Sequence, residues 1–166
     1  IPLESVMAKS WNKKIFKQID EQVNKASKDL AEERGACPDA AEYGYQERFS
    51  NKTAIAPTAS ISIICGGASP GVEPIAANSY THKTLSGSFN VRNRYLEEIL
   101  EGHGKNDDET WSTITTNQGS VSHLDFLTDL EKDVFKTAFE LNQKWIIELS
   151  GDRTPFISQA QSVNLF

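Results

Sequence analysis

Between Thr53 and Val91 only two side chains are charged, Glu73 and Lys83, while Ser, Thr, Gly and Asn recur throughout. A solvated surface stretch of that length normally carries more charge, and a core segment carries fewer hydroxyls and glycines. The stretch therefore reads either as the lining of a pocket or as a loop-rich segment packed beneath helices. Its flanks differ from it and from each other. Residues 1–52 hold nine basic and nine acidic side chains, and residues 95–166 hold five and thirteen. Three regions result: a helix and connecting loop at 1–52, the charge-poor centre at 53–94, and an acidic helical region at 95–166.

The whole, 166 residues with a net charge of −6 and 38% hydrophobic content, suits one soluble globular domain. The least charged run, Ala54 to Val72, is interrupted by Pro57, Pro70 and several hydroxyls, so no membrane span is expected. Cys37 and Cys65 form no CxxC pair, which argues against a disulfide framework or a zinc site and fits a reducing cytoplasm. No leader-like N-terminal region is visible, and the acidic balance disfavours nucleic acid as a partner.

Apolar residues at three- and four-residue spacing, Met7, Trp11, Ile15, Ile19, Val23, Ala26 and Leu30, predict a helix over 5–34 packed on that stripe. Gly35 and Pro38 supply its stop. A second helix is expected over 94–101. A third begins near Asp107, Asp108 and Glu109, whose charges suit a helix N-terminus. Thr128-Asp129-Leu130-Glu131 has the form of a capping box. It predicts one long helix with Leu130, Val134, Ala138, Leu141, Trp145 and Leu149 buried, closed by Gly151 and Pro155. Strands are expected only at 53–56, 86–91 and 162–166.

Ala56-Pro57-Thr58-Ala59-Ser60-Ile61-Ser62 follows a short apolar run and reads as a strand entering a helix. The first amides of such a helix have no acceptor within it and its dipole is positive there, so a phosphate can bind without lysine. A structural cap is the other reading of the same residues. Gly66-Gly67-Ala68-Ser69-Pro70-Gly71 is turn-rich, but it contains neither GxGxxG nor GK[ST], which disfavours dinucleotide and P-loop folds. His82, His103 and His123 lack metal-ligand spacing. A thiol or serine hydrolase would need a nucleophile and base constellation that the sequence does not present.

Five blocks resemble one family. They are Leu30 to Pro38, Thr53 to Ser62, Gly71 to Asn78, Thr81 to Phe89 and Gln159 to Leu165, and the family is the large catalytic subunit of class I ribonucleotide reductase. The resemblance covers nearly the whole chain. It implies an α/β fold, part of a ten-stranded barrel, of which this portion is mostly α-helical with a few short strands. It also implies the radical-based reduction of ribonucleoside diphosphates, with substrate diphosphate held by Thr58, Ala59, Ser60 and Ile61, and with Ser62 as a further contact. Implied partners are the remaining part of the large subunit, a separate small radical-generating subunit that contains metal, and the ribonucleoside diphosphate; self-association is a further expectation. No cofactor is expected in this chain, and nucleotide effectors bind elsewhere in the family.

By the same resemblance, the thiyl cysteine, its acid–base partners and the redox cysteines lie ahead of the matching part, and the radical-relay tyrosines lie after it. The chain is thus expected to be inactive alone, with no catalytic or metal residue of its own. Cys37 and Cys65 are expected to pack, and His82 to form local hydrogen bonds. The chain begins at Ile1 and its last strand pattern stops at Phe166, which suggests the product of a split or interrupted gene, or a fragment of one. A non-catalytic module derived from the reductase is the alternative function.

Overall fold

The structure, a computed structural model, describes residues 1–66, 68–85 and 87–166, the side chains of 82 and 84 excepted. The elements are α1 (Val6–Arg34), α2 (Pro38–Glu42), α3 (Ala59–Ile64), β1 (Ser79–Thr84), β2 (Gly87–Arg92), α4 (Arg94–Gly102), α5 (Asp108–Thr116), α6 (Asp129–Val134), α7 (Gln143–Arg153) and a 3-10 turn at Thr154–Phe156. Helix exceeds strand severalfold, as the sequence predicts.

Each start signal acts as its chemistry requires. Ser5, Asn93, Asp107 and Thr128 cap α1, α4, α5 and α6 by accepting a backbone N–H. Gly35 ends α1 at φ +84. The capping box is complete, because the Glu131 carboxylate accepts from the Thr128 hydroxyl at 2.7 Å and from its N–H at 2.8 Å. His103 adds a contact of 3.1 Å from the end of α4. Together these hold the Glu131 carboxyl down at about 2, the Thr128 hydroxyl contributing most.

A carboxyl depressed in the folded state contributes stability above its unfolded pKa and loses it as pH falls through the folded one. Melting curves of the wild type and Glu131→Gln are therefore expected to differ at pH 6 and to converge as pH falls from about 4.5 toward 2. An equal gap at both ends would show that the carboxylate charge is irrelevant to the cap.

The main core lies between α4, α5 and the turns that follow them. Leu96, Leu100, Trp111, Ile114, Val121, Leu124 and Leu127 are buried together there, with Ile99, Phe126 and Phe135 against them. β1 and β2 pair antiparallel and form the only named sheet among the described residues. β1 is an addition to the expected strands, because its Ser, Thr, His and Lys content hides the pattern. Strands expected near 53–56 and 162–166 contract to a parallel bridge, Ile55 with Gln161, supported by Ile55 N–H to Ala160 O at 3.1 Å and Ser162 N–H to Ile55 O at 2.8 Å. No closed barrel exists within the described residues. Part of the expected strand over 86–91 lies outside them, at residue 86.

Two helical expectations are corrected. The single helix expected after Thr128 is two helices. Phe135 caps α6, Ala138 donates its N–H to Ile75 O at 3.0 Å instead of continuing the helix, and Asn142 caps α7. Leu130, on the short α6, is 64% exposed, whereas Ala138, Leu141 and Leu149 are buried and Trp145 is half-buried. Gly151 lies inside α7 and does not end it.

In α1 the stripe Met7, Trp11, Ile15 and Ile19 is exposed. The face that meets α7 is rotated by one residue: Asn12 Nδ2 donates to Leu149 O at 2.9 Å, and Phe16 lies 5.6 Å from the Arg153 guanidinium. Lys9–Glu148 and Lys13–Asp152 ion pairs flank that contact. Since one residue turns a helix by 100°, α7 covers the mixed face beside the apolar stripe, through Phe16 and the polar Asn12, and leaves Met7, Trp11, Ile15 and Ile19 uncovered.

Candidate functional site

Thr58 to Ser62 form the turn into α3. Pro57 precedes the cap residue Thr58, whose backbone is not helical (φ −127, ψ 39), and α3 begins at Ala59. The Pro70 carbonyl, from the following loop, accepts both the Thr58 N–H and the Thr58 hydroxyl, each at 2.9 Å. The Ser62 N–H closes the first helical bond onto Thr58 O at 2.7 Å. Between them, the amides of Ala59, Ser60 and Ile61 have no acceptor among the described residues. Ala59, Ser60 and Ile61 are exposed, so three successive donors face solvent.

Ser62 behaves differently. It is buried, and its hydroxyl donates back to Ala59 O at 2.8 Å. The five expected residues thus divide into one whose donors are held by Pro70, three with open amides, and one turned into the helix.

Behind α3 lies a pocket of about 460 Å3, walled by Ala59, Ser62 and Ile63 on one side and by Tyr80, Val91 and Arg92 of the hairpin on the other. Ala68 and Pro70 also line it. The charge-poor centre is thus both the lining of a cavity and a loop packed against helices, the two readings its composition allowed. Cys65, at the end of α3, is exposed, so the expected packing role does not hold for it; Cys37 is half-buried before α2. The local bonds expected of His82 fall outside the described side chains.

Four residues outside Thr58 to Ser62 bear on this site. Asn78 is 2% exposed and joins four segments: its amide donates to Gly119 O at 2.9 Å and Phe135 O at 2.7 Å, and its carbonyl oxygen accepts from Asn93 Nδ2 at 2.8 Å. Gly119, at φ +80, has no room for a side chain, since a Cβ there would stand 2.6 Å from Ala77 Cα and 2.8 Å from Asn78 N. Glu73 and Arg153 are both buried. Burial pulls the Arg153 pKa below its usual value, and the negative charge of Glu73 works against that pull. The sequence held one signal for Glu73, which is the lone acid in the charge-poor stretch.

The ribonucleotide reductase barrel-domain family matches residues 39–166. The chain belongs to that family. The resemblance read from its blocks is thereby borne out, and its relatives in the oxidoreductase family of ribonucleotide reductases are large subunits. The ribonucleoside-diphosphate reductase large subunit of Invertebrate iridescent virus 6 is 46% identical over 170 residues, covering 100% of this chain and 18% of that protein. A putative large subunit from Frog virus 3 (isolate Goorha) is 39% identical over 166 residues, covering 100% of this chain and 29% of the relative. Among solved structures, the Actinobacillus ureae class Id ribonucleotide reductase alpha subunit superposes with a TM-score of 0.89 at 39% identity, over 99% of this chain and 29% of that one. The chain therefore spans less than a third of the length of these reductase relatives, and its two-stranded sheet and parallel bridge are a portion of the barrel domain.

Proposed function

We propose that this chain contributes the substrate-diphosphate loop of a ribonucleoside-diphosphate reductase large subunit, the part that grips substrate while radical chemistry proceeds on residues supplied by other segments. The observation that carries this reading is the run of three open amides at Ala59, Ser60 and Ile61. A diphosphate oxygen placed over them accepts hydrogen bonds from fixed donors, and the Thr58 hydroxyl lies beside them at the cap. Thr58, Ala59, Ser60, Ile61 and Ser62 are the proposed site. Its partners are the remaining part of the large subunit, the small radical-generating subunit and a ribonucleoside diphosphate. The exposed apolar face of α1 is consistent with a body that the rest of a large subunit covers.

The chain alone is expected to form no deoxyribonucleotide when mixed with a small subunit, substrate and reductant. Activity that appears only when the remaining large-subunit segments are added would support this reading over that of a non-catalytic module.

The loop itself can be tested directly. Charge-assisted hydrogen bonds contribute about 1.5–3 kcal/mol each, but a nucleotide held only by its phosphates leaves its base and ribose in water. Millimolar affinity for pyrophosphate is expected, on the order of 4 kcal/mol. Ser60→Pro removes a backbone donor and should weaken binding by about tenfold or more, whereas Ser60→Ala keeps the amide and should change it by about threefold at most. Amide NMR titration reads both. Wild-type protein that is folded yet shows no shifts at 59–61 would overturn the assignment.

A further inference from the structure

We propose that Glu73 is the positioning residue of the α3 anion site, holding residues 68–78 in the place from which Pro70 fixes Thr58; the proposal rests on the diphosphate reading above. The geometry forms a continuous path. One Glu73 carboxylate oxygen accepts the Asn164 N–H in the C-terminal segment. The other packs on Gly71, where a Cβ would collide with it, so a side chain there would push the carboxylate aside. The Glu73 carbonyl accepts the Ser69 hydroxyl at 2.5 Å, which folds the loop back on itself. Pro70, between Ser69 and Gly71, then presents its carbonyl to both donors of Thr58.

The other end of the path is also anchored. Arg153 lies at the end of α7 and is 4% exposed. It donates to Gln161 Oε1 at 2.7 Å, to Ser150 Oγ at 2.8 Å and to Asn12 Oδ1 at 3.3 Å, all uncharged acceptors. Glu73 is the acid whose charge acts on it. A buried guanidinium with neutral hydrogen-bond partners needs a counter-charge nearby, and a buried carboxylate needs a cation. Gln161 also carries the parallel bridge to Ile55, which leads into the turn at Thr58. The α3 turn is thus anchored on one side by Glu73, through the loop that follows it, and on the other by Arg153, through Gln161 and Ile55.

A role limited to general stability would affect all protected amides equally, whereas a positioning role acts first at Thr58. The test is amide hydrogen exchange by NMR on the 166-residue chain, comparing Thr58 with Trp111, whose N–H is bonded to Asp107 O outside this path. Glu73→Gln retains an acceptor for Asn164 but removes the charge. Exchange at Thr58 should rise about tenfold while Trp111 stays within about twofold, and pyrophosphate affinity should fall about fivefold. Equal changes at both amides, or no change at Thr58, would overturn the proposal. Should Glu73→Gln fail to fold, Ser69→Ala leaves the buried charges intact and loosens the same loop, and selective acceleration at Thr58 is again the supporting result, with none the opposing one. Thr58 exchange needs no ligand. Wild-type protein that ignores pyrophosphate would remove the diphosphate reading, while the exchange data would still decide whether Glu73 positions the turn.

Discussion

Replacing Asn78 by leucine is expected to lower the urea midpoint of the chain by about 1–2 M, the equivalent of about 3 kcal/mol. Leucine has the same branching but bulkier methyl ends, so the loss combines broken hydrogen bonds with some crowding at a site that is 2% exposed. The Phe135 carbonyl loses its donor at 2.7 Å and the Asn93 side-chain amide loses its acceptor at 2.8 Å, while Gly119 O retains the Asn78 backbone N–H at 3.1 Å. Two polar groups left unpaired at a buried junction cost about 1–3 kcal/mol each. The consequence is also local. Asn78 precedes β1 and Asn93 follows β2, so their contact closes the base of a hairpin that two strands alone would hold only marginally. Faster exchange in the hairpin than in α5 should accompany the lost stability. Asn78→Asp should be no better, since its second oxygen would face the Gly119 and Phe135 carbonyls. Unchanged midpoints for both variants would show that the junction is held by packing alone.

Trp111→Ala is expected to be the most damaging single truncation, at about 3–5 kcal/mol out of the 5–15 kcal/mol that a domain typically has. The indole is 2% exposed, at the centre of the cluster formed by Leu96, Leu100, Ile114, Val121, Leu124 and Leu127. Its Nε1–H donates to Asn106 Oδ1 at 2.7 Å, and the Arg92 guanidinium lies 5.1 Å from the ring. Alanine would open a cavity, orphan Asn106 and remove the surface on which Arg92 rests at the end of β2. Trp111→Phe retains most of the buried area without the hydrogen bond, so it should cost less than half as much. Urea unfolding followed by circular dichroism separates the two. A loss below about 1 kcal/mol for Trp111→Ala would mean that the core collapses around the gap or that the cluster is already loose.

Elements governed by local chemistry were legible in the order of residues. The caps at Asp107 and Thr128 depend on groups within three or four positions of one another, and each formed where its residue types predict, whereas the turn into α3 also needs the Pro70 carbonyl, 12 positions from Thr58. The family membership was legible too, because the blocks from Thr53 to Asn78 and from Gln159 to Leu165 retain their pattern whatever surrounds them. What depends on groups distant in sequence was not legible. Thr128 starts a helix, but whether that helix continues is decided at Ala138, whose N–H goes to Ile75, 63 positions away. The apolar stripe of α1 was visible, but which of two adjacent faces is covered depends on where α7 lies. Glu73 showed itself only as an isolated acid. Its partners, Asn164 and the charge of Arg153, come from the far end of the chain, and only the fold brings them to one point. Local hydrogen bonds are short-range and set by the sequence itself, whereas burial and charge pairing are properties of position in space, so the tertiary structure decided which side chains the site relies on.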